Sequence, residues 1–547
     1  MAAEAVGGEA PTLFLRKATG LVRGWSVRDS MIYACLATNF VTLGLYEFTY
    51  AGPAFPGGQL ITSILISAVL VSFLVVAYTG LIVTIPRAGG DYVWQTRILG
   101  SGVGFVMAAT GWWFILWLWA PIYGNILSKQ LFQPLWATLG DPSGAAWFAS
   151  SNGIFVVCLI TIALAGVLVS VGMAGYAKIQ RWCFAGGLLA FAVIAVLLLV
   201  NSRATFISSF NLEAHKIFGA SVGSHAYQDT QTAAAGLKKP DGYSPTPLGF
   251  GPLGGPTLLL VPAMMFFILW PNWGSTLYGE IRGASDFKRV FSGMFAGLWI
   301  TVLLAIAFLL LVAKTFGWEF FQNLNATFYY ANSKLPIWPY PFMLAGWLIH
   351  NTAIQVILIL ALSLWFFGWV GTLFLSSTRV IFAAAFDRVL PDRAAEVSER
   401  RKVPLYSLVL MLLPAVGLSA IYAYSTTFQT YTLDATLVIA ITYLFSAIAV
   451  VILPWRKPDL WRASPASSIK ILGVQIVPVA GWVTILFLLF DLWKWFTNGN
   501  YFVNNKDSLY FMGALYVLAI GLYVVARLVR SHQGIDLGLI NKEIPVE

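Results

Sequence analysis

Twelve times along the chain, a run of about 20 predominantly apolar residues is closed by a short polar connection. The runs cover residues 30–51, 60–85, 102–128, 152–173, 182–200, 257–279, 290–313, 352–384, 405–424, 433–454, 474–493 and 509–527. Each is long enough to cross a hydrocarbon layer of roughly 30 Å as a helix. Helices are the expected form, because lipid offers no partner for an unpaired peptide group. The pattern predicts an all-α polytopic membrane protein with about twelve transmembrane helices. The run 352–384 exceeds one bilayer thickness and predicts a helix that tilts or projects beyond the membrane.

The polar connections carry a second signal. With the first apolar run starting inside, the inner connections hold 24 of the 33 Lys and Arg residues and the outer ones 9. Four of those nine sit in the long outer loop 201–256, where charge counts little toward orientation. Both termini are therefore expected on the cytoplasmic side of the plasma membrane, as a segment 1–29 and a tail 531–547. Within 1–29 no apolar h-region marks a cleavable signal, and Leu13 to Asp29 reads as a basic amphipathic lead-in. The loop 201–256, rich in Gly, Pro and Ser from Gly219 to Gly255, reads as a surface cap without chemistry. Asn325-Ala326-Thr327 matches the glycosylation acceptor pattern.

Composition narrows the function. Hydrophobic residues make up 59% of the chain and charged residues 10%, which excludes a water-soluble surface. The net charge of +10 is spread through the connections rather than gathered in a stripe, so nucleic acid is not an expected partner. Cys35, Cys158 and Cys183 fall inside apolar runs and read as buried thiols, and the four histidines are scattered. Neither arrangement suggests a metal or other cofactor. No phosphate-binding G-x-x-x-x-G-K-[ST] motif occurs, and no nucleophile, base and carboxylate share a depth, so an enzyme is not expected.

Two spans carry helix breakers near their middle. The first contains Ala37-Thr38-Asn39-Phe40-Val41-Thr42-Leu43-Gly44, and the sixth contains Trp270-Pro271-Asn272-Trp273-Gly274. Proline and glycine lower the cost of interrupting a helix there. Paired breaks in corresponding halves of a membrane chain point to a carrier whose site lies near the midplane. Half-helix N-termini would offer N–H groups to a carboxylate, and freed carbonyls would accept from an amine.

Four further stretches carry a resemblance. Ile85-Pro86-Arg87-Ala88-Gly89-Gly90-Asp91-Tyr92-Val93 resembles the P-x-A/S-G-G-x-Y segment of the amino acid–polyamine–organocation (APC) permeases. Gly172-Met173-Ala174-Gly175-Tyr176-Ala177-Lys178-Ile179-Gln180 is similar to that family's connection between spans four and five. Gly279-Glu280-Ile281-Arg282, followed by Lys288-Arg289, resembles its acidic-then-basic end of span six. Ser377-Thr378-Arg379 through Asp387-Arg388-Val389-Leu390-Pro391 to Val403-Pro404 resembles the cytoplasmic end of span eight.

The resemblance implies a core 30–455 built as an inverted repeat of five plus five helices (30–200 and 257–455), with two more spans in 456–530. It implies that spans one, three, six, eight and ten line the pathway, and that the substrate is an amino acid or related amine. Thr42, Leu43 and Gly44 would offer N–H groups to its carboxylate. Carbonyls near Asn39, Phe40 and Trp270 would receive the amine, with Asn272, Trp273, Gly274 and Tyr443 around the side chain.

Other charged and hydroxyl groups are candidates for coupling or gating. Glu47 lies beyond the first break, where a carboxylate snorkelling to the outer rim is favoured over a proton-linked role. Glu280 and Arg282 suggest an inner-gate salt bridge. Thr372 and Ser376 could join span-one carbonyls around sodium. The lysine that some proton-coupled relatives carry in span five falls here at Gly186-Gly187. Sodium coupling, proton coupling and uncoupled exchange all stay open. Trp112, Trp113, Trp117 and Trp119 read as packing and interface residues, and Asp434 and Asp491 as helix-end residues. The expected function is a secondary transporter working by alternating access in a lipid bilayer. The alternative is a non-transporting sensor or structural subunit of a larger membrane assembly.

Overall fold

The computed structural model describes residue 21 and residues 24–237, 243–251, 254–330, 333 and 335–544. Most of the basic lead-in 13–29 and the last three residues of the tail lie outside the described residues. Among the described residues, twelve helices are long and apolar enough to cross a membrane. They are α1 (Val27–Ala54), α2 (Leu60–Thr84), α3 (Ser101–Thr138), α4 (Ser151–Ser170), α5 (Gly172–Val200), α6 (Pro256–Glu280), α7 (Phe287–Tyr329), α8 (Thr352–Phe386), α9 (Leu405–Tyr424), α10 (Thr432–Arg456), α11 (Ile476–Thr497) and α12 (Lys506–His532). The protein is an all-α polytopic membrane protein, and the described strands are two-residue pieces, Lys470–Ile471 and Val474–Gln475.

Burial sorts these helices into centre and rim. In α1, 89% of the most apolar window is enclosed by protein, against 28% in α12. The rim helices α5, α9 and α12 turn residues such as Leu189, Leu413 and Val517 outward, as a lipid-facing surface requires. α1 packs along α7, α5 along α8, and α10 along α11.

Several spans run longer than the apolar runs because interruptions let them continue. α3 carries π turns at Thr110–Phe114 and Ser128–Phe132, and α7 passes through another at Ala313–Gly317 into the amphipathic helix Trp318–Tyr329. α8 is divided by a turn at Gly371. A Cβ there would meet the Tyr176 ring at 2.4 Å, so only glycine lets α5 approach so closely.

The loop 201–256 is more ordered than its Gly-, Pro- and Ser-rich second half suggests. It forms helices Arg203–Phe218 and Ala226–Ala235, held to the far end of α7 by stacking of Phe206 on Phe316 and Tyr227 on Phe320. The glycosylation pattern is misleading. Asn325 is fully buried within a helix, and its amide donates to the Phe321 carbonyl.

Candidate substrate cavity and its two gates

α1 is interrupted at Asn39, whose φ of 39° is left-handed. Asparagine is among the few non-glycine residues that tolerate this conformation. Past it the chain makes one π turn, Phe40–Gly44, and resumes as Leu45–Ala54. The freed donors are taken up locally. Thr42 N–H donates to Asn39 Oδ1 at 3.1 Å, while the Leu43 and Gly44 N–H groups donate to the Asn39 carbonyl at 3.0 and 3.1 Å. The three N–H groups expected to be free are therefore satisfied by Asn39 in this conformation. The Thr42 carbonyl accepts from Gln130 Nε2 of α3.

α6 is interrupted at Leu269–Asn272 and continues as a 3₁₀ segment, Trp273–Glu280. Trp273 N–H donates to the Trp270 carbonyl and Ser275 N–H to that of Asn272. The Asn272 side chain is fully buried and faces the Tyr443 hydroxyl, the two approaching each other without a hydrogen bond of ordinary geometry among the described residues.

Between the two breaks lies a narrow cavity with free space for about one water molecule, lined by Ala37, Leu43, Trp119, Tyr123, Trp270, Trp273, Trp369 and Thr372. Its walls carry no charged side chain. Tyr123 stacks on Trp369 with ring centres 3.4 Å apart, and Trp119 meets Trp270 edge-on at 5.4 Å. Of the residues expected at the site, Leu43, Trp270, Trp273 and Thr372 line the cavity. Phe40 packs between Phe191 and Trp365, Gly274 lies against the Tyr33 ring, and a Cβ on Gly44 would come within 3.2 Å of the Phe267 ring. Trp119, read from sequence as a packing residue, is a wall of the cavity. Trp112 does pack, 4.6 Å from Trp273. Tyr123 and Trp369 had no local signal beyond the density of aromatic residues in their spans.

Of the two α8 hydroxyls considered for sodium, that of Ser376 binds other helices. Ser376 Oγ donates to the Trp273 carbonyl at 2.9 Å and pairs with Tyr33 Oη at 2.9 Å, joining α8 to both broken helices. The Thr372 carbonyl accepts from Trp273 Nε1 at 3.1 Å.

The face where α1 begins and α12 ends is closed by buried charge. Glu280 pairs with Arg379 of α8, not with Arg282 as the local sequence suggested, through Nε–Oε1 at 2.7 Å and Nη2–Oε2 at 3.1 Å. Both side chains are about 99% buried or more. Arg97 makes a second buried pair with Asp387. Trp25 is buried beneath them, its N–H and that of Gly24 donating to the Glu280 carbonyl while Arg282 N–H donates to the Trp25 carbonyl. Four helices meet at Asp91, which accepts from Tyr78 Oη (2.5 Å), Ser446 Oγ (2.6 Å) and Ser275 Oγ (3.1 Å). Burial raises the Asp91 carboxyl above its ordinary pKa, opposed by these three hydroxyls. The adjacent Gly90, at φ +42°, lies where a Cβ would collide with the backbone of Ser275.

The opposite face is looser. A vestibule of about 180 Å³ opens there, with Tyr46, Glu47, Tyr50, Phe266, Tyr329 and Tyr501 in its wall. Phe266 stacks on Trp119 at 5.6 Å, so these two rings and Trp270 divide the vestibule from the cavity. Glu47 does not snorkel. It is 5% exposed and lines the vestibule, because α1 is enclosed by protein at that depth. Nor is Asp491 a helix-end residue. It is fully buried in α11, with neither carboxylate oxygen hydrogen-bonded among the described residues, whereas Asp434 accepts from Ser508 Oγ.

Two comparisons with known proteins bear on this geometry. The family model described as amino acid permease matches residues 31–520. The branched-chain amino acid permease BcaP of Lactococcus lactis subsp. cremoris (strain MG1363) is 22% identical over 475 residues, which span 84% of this chain and 86% of that relative.

Proposed function

We propose that this chain, which belongs to the amino acid permease family, is a secondary transporter that carries small apolar amino acids across the plasma membrane by alternating access. One observation carries the reading: the two broken helices meet around a small aromatic-walled cavity with no charged wall. Such a wall favours a neutral, apolar side chain over a charged one, since an unpaired charge in a low-dielectric site is costly. The branched-chain substrates named for BcaP fit that description.

In this reading the substrate's carboxylate displaces Asn39 Oδ1 from the Thr42 N–H, and its amine takes the second lone pair of the Trp270 carbonyl, the Asn39 carbonyl being filled by the Leu43 and Gly44 N–H groups. The termini lie in the cytoplasm, so the ion-paired face is the inner gate and the vestibule opens outward. The halves 30–200 and 257–455 act as inverted repeats that rock against each other around the site.

The test is counterflow in proteoliposomes, with labelled leucine, isoleucine and valine against lysine and glutamate, with and without sodium and a pH gradient. Accelerated exchange of the branched-chain amino acids alone is expected. Saturable binding without counterflow would replace the carrier with the sensor. Exchange of lysine or glutamate at equal rate would remove the assignment of substrate class.

A further inference from the structure

Glu47 is the one charged side chain in the vestibule wall, and it is 95% buried with no hydrogen-bond or ion-pair partner among the described residues. A carboxylate left unpaired at membrane depth is expensive, so a counterpart from solution is its natural partner. The surrounding groups say what kind. The hydroxyls of Tyr50, Tyr501, Thr430 and Thr432 all line the vestibule, and all donate to backbone carbonyls, of Asn500, Leu259, Thr427 and Gln429 respectively. With their hydrogens committed, these groups turn only acceptor lone pairs toward a ligand. The rings add the negative faces that attract cations. One already does so, the Lys129 ammonium sitting 5.0 Å from the centre of the Tyr46 ring. At about 180 Å³ the chamber is far roomier than the cavity beneath it.

We infer that the vestibule is a separate binding site for a primary organic ammonium carried on an apolar or aromatic body, paired to Glu47. The ammonium belongs either to a free amine or to the amino group of an amino acid on its way inward. The site does not depend on the carrier reading, since binding is measured without transport.

The experiment is equilibrium binding of tritiated phenethylamine to the purified full-length protein in detergent at neutral pH. Saturable binding is expected. Glu47→Gln should weaken it at least tenfold and Glu47→Asp should restore part of the loss, both variants eluting as the wild-type species on size exclusion. The anion 3-phenylpropionate should not compete. Competition by L-phenylalanine identifies the amino group of an amino acid as a ligand, and its absence identifies free amines; either result keeps the site. Equal affinity in Glu47→Gln, equal competition by 3-phenylpropionate, or no saturable binding by the wild type overturns it. Counterflow of branched-chain amino acids is read separately, so loss of this site and loss of the transport reading are distinct results.

Discussion

The two faces of the bundle are held shut by different kinds of interaction. On the face where α1 begins and α12 ends, Glu280–Arg379 and Arg97–Asp387 are buried ion pairs, and Trp25 is hydrogen-bonded to the Glu280 backbone. On the opposite face the barrier is a set of rings, Phe266 on Trp119 and Trp119 on Trp270, under an open chamber. A buried pair must exchange its partner for water to separate, so it tends to be either made or broken. Ring contacts are worth about 0.5–1.5 kcal/mol each beyond area burial, and they yield by rotation. If the chain works by alternating access, as proposed, one face serves as a latch and the other as a lid.

The largest effect should come from breaking the latch. Arg379→Ala leaves the Glu280 carboxylate buried without its partner, a change that costs about 3–5 kcal/mol in comparable pairs. Thermal melting in detergent should show a clear drop. The paired replacement Arg379→Met with Glu280→Leu should recover most of it, because two apolar groups leave no charge stranded. A single variant as stable as wild type would mean that this pair does not hold the face.

Next comes the break in α1. Gly44→Leu places a branched side chain where even a Cβ would lie 3.2 Å from the Phe267 ring, at an overpacking cost of about 1–3 kcal/mol. The protein should still purify as a single species, with uptake in proteoliposomes reduced to below a tenth. Wild-type uptake would show that the packing of α1 on α6 at this level does not matter to transport.

What could be read from the chain follows the reach of each signal. The twelve spans were legible because bilayer thickness acts on every run alike. The breaks were legible from Gly44 and Pro271, which act on their own backbone, though the residue that makes the left-handed turn in α1 is Asn39. The partner of Glu280 was not, since Arg379 lies 99 residues away and is brought there by packing of α8 on α6. The cavity walls were missed for a related reason. Trp119, Tyr123 and Trp369 are aromatic residues in aromatic-rich helices, and only tertiary packing decides which of them face the gap. Asp91 stood in a recognised motif, but its three hydroxyl partners come from α2, α6 and α10. Asn325 shows the converse error, a local pattern defeated by burial.

On the lid, the counterpart change is Phe266→Leu. It keeps an apolar group of similar volume and should cost less than about 1.5 kcal/mol in stability. It removes the stacked contact with Trp119, so the vestibule and the cavity should communicate more freely. Substrate release to the outside should speed up a few-fold, seen as faster exchange and a raised half-saturation concentration. A stability loss as large as that of Arg379→Ala would erase the distinction between latch and lid.

The smallest effect is the most informative about the site. Asn39 does two jobs: its backbone makes the left-handed turn, and its side chain occupies the Thr42 N–H. Glycine makes the same turn without a Cβ, and replacing a capping side chain by glycine costs only a few tenths of a kcal/mol. Asn39→Gly should therefore fold and melt nearly as wild type, while leaving the Thr42 N–H open. If the substrate carboxylate binds there, it no longer competes with an amide oxygen, and the half-saturation concentration for uptake should fall about two- to fivefold, equivalent to ~0.4–1 kcal/mol. Asn39→Ala frees the same N–H but carries the left-handed penalty of about 1–2 kcal/mol, so it should gain affinity only at the expense of melting temperature. An unchanged or raised half-saturation concentration in the glycine variant would move the carboxylate away from the α1 break, toward the unsatisfied amide of Asn272.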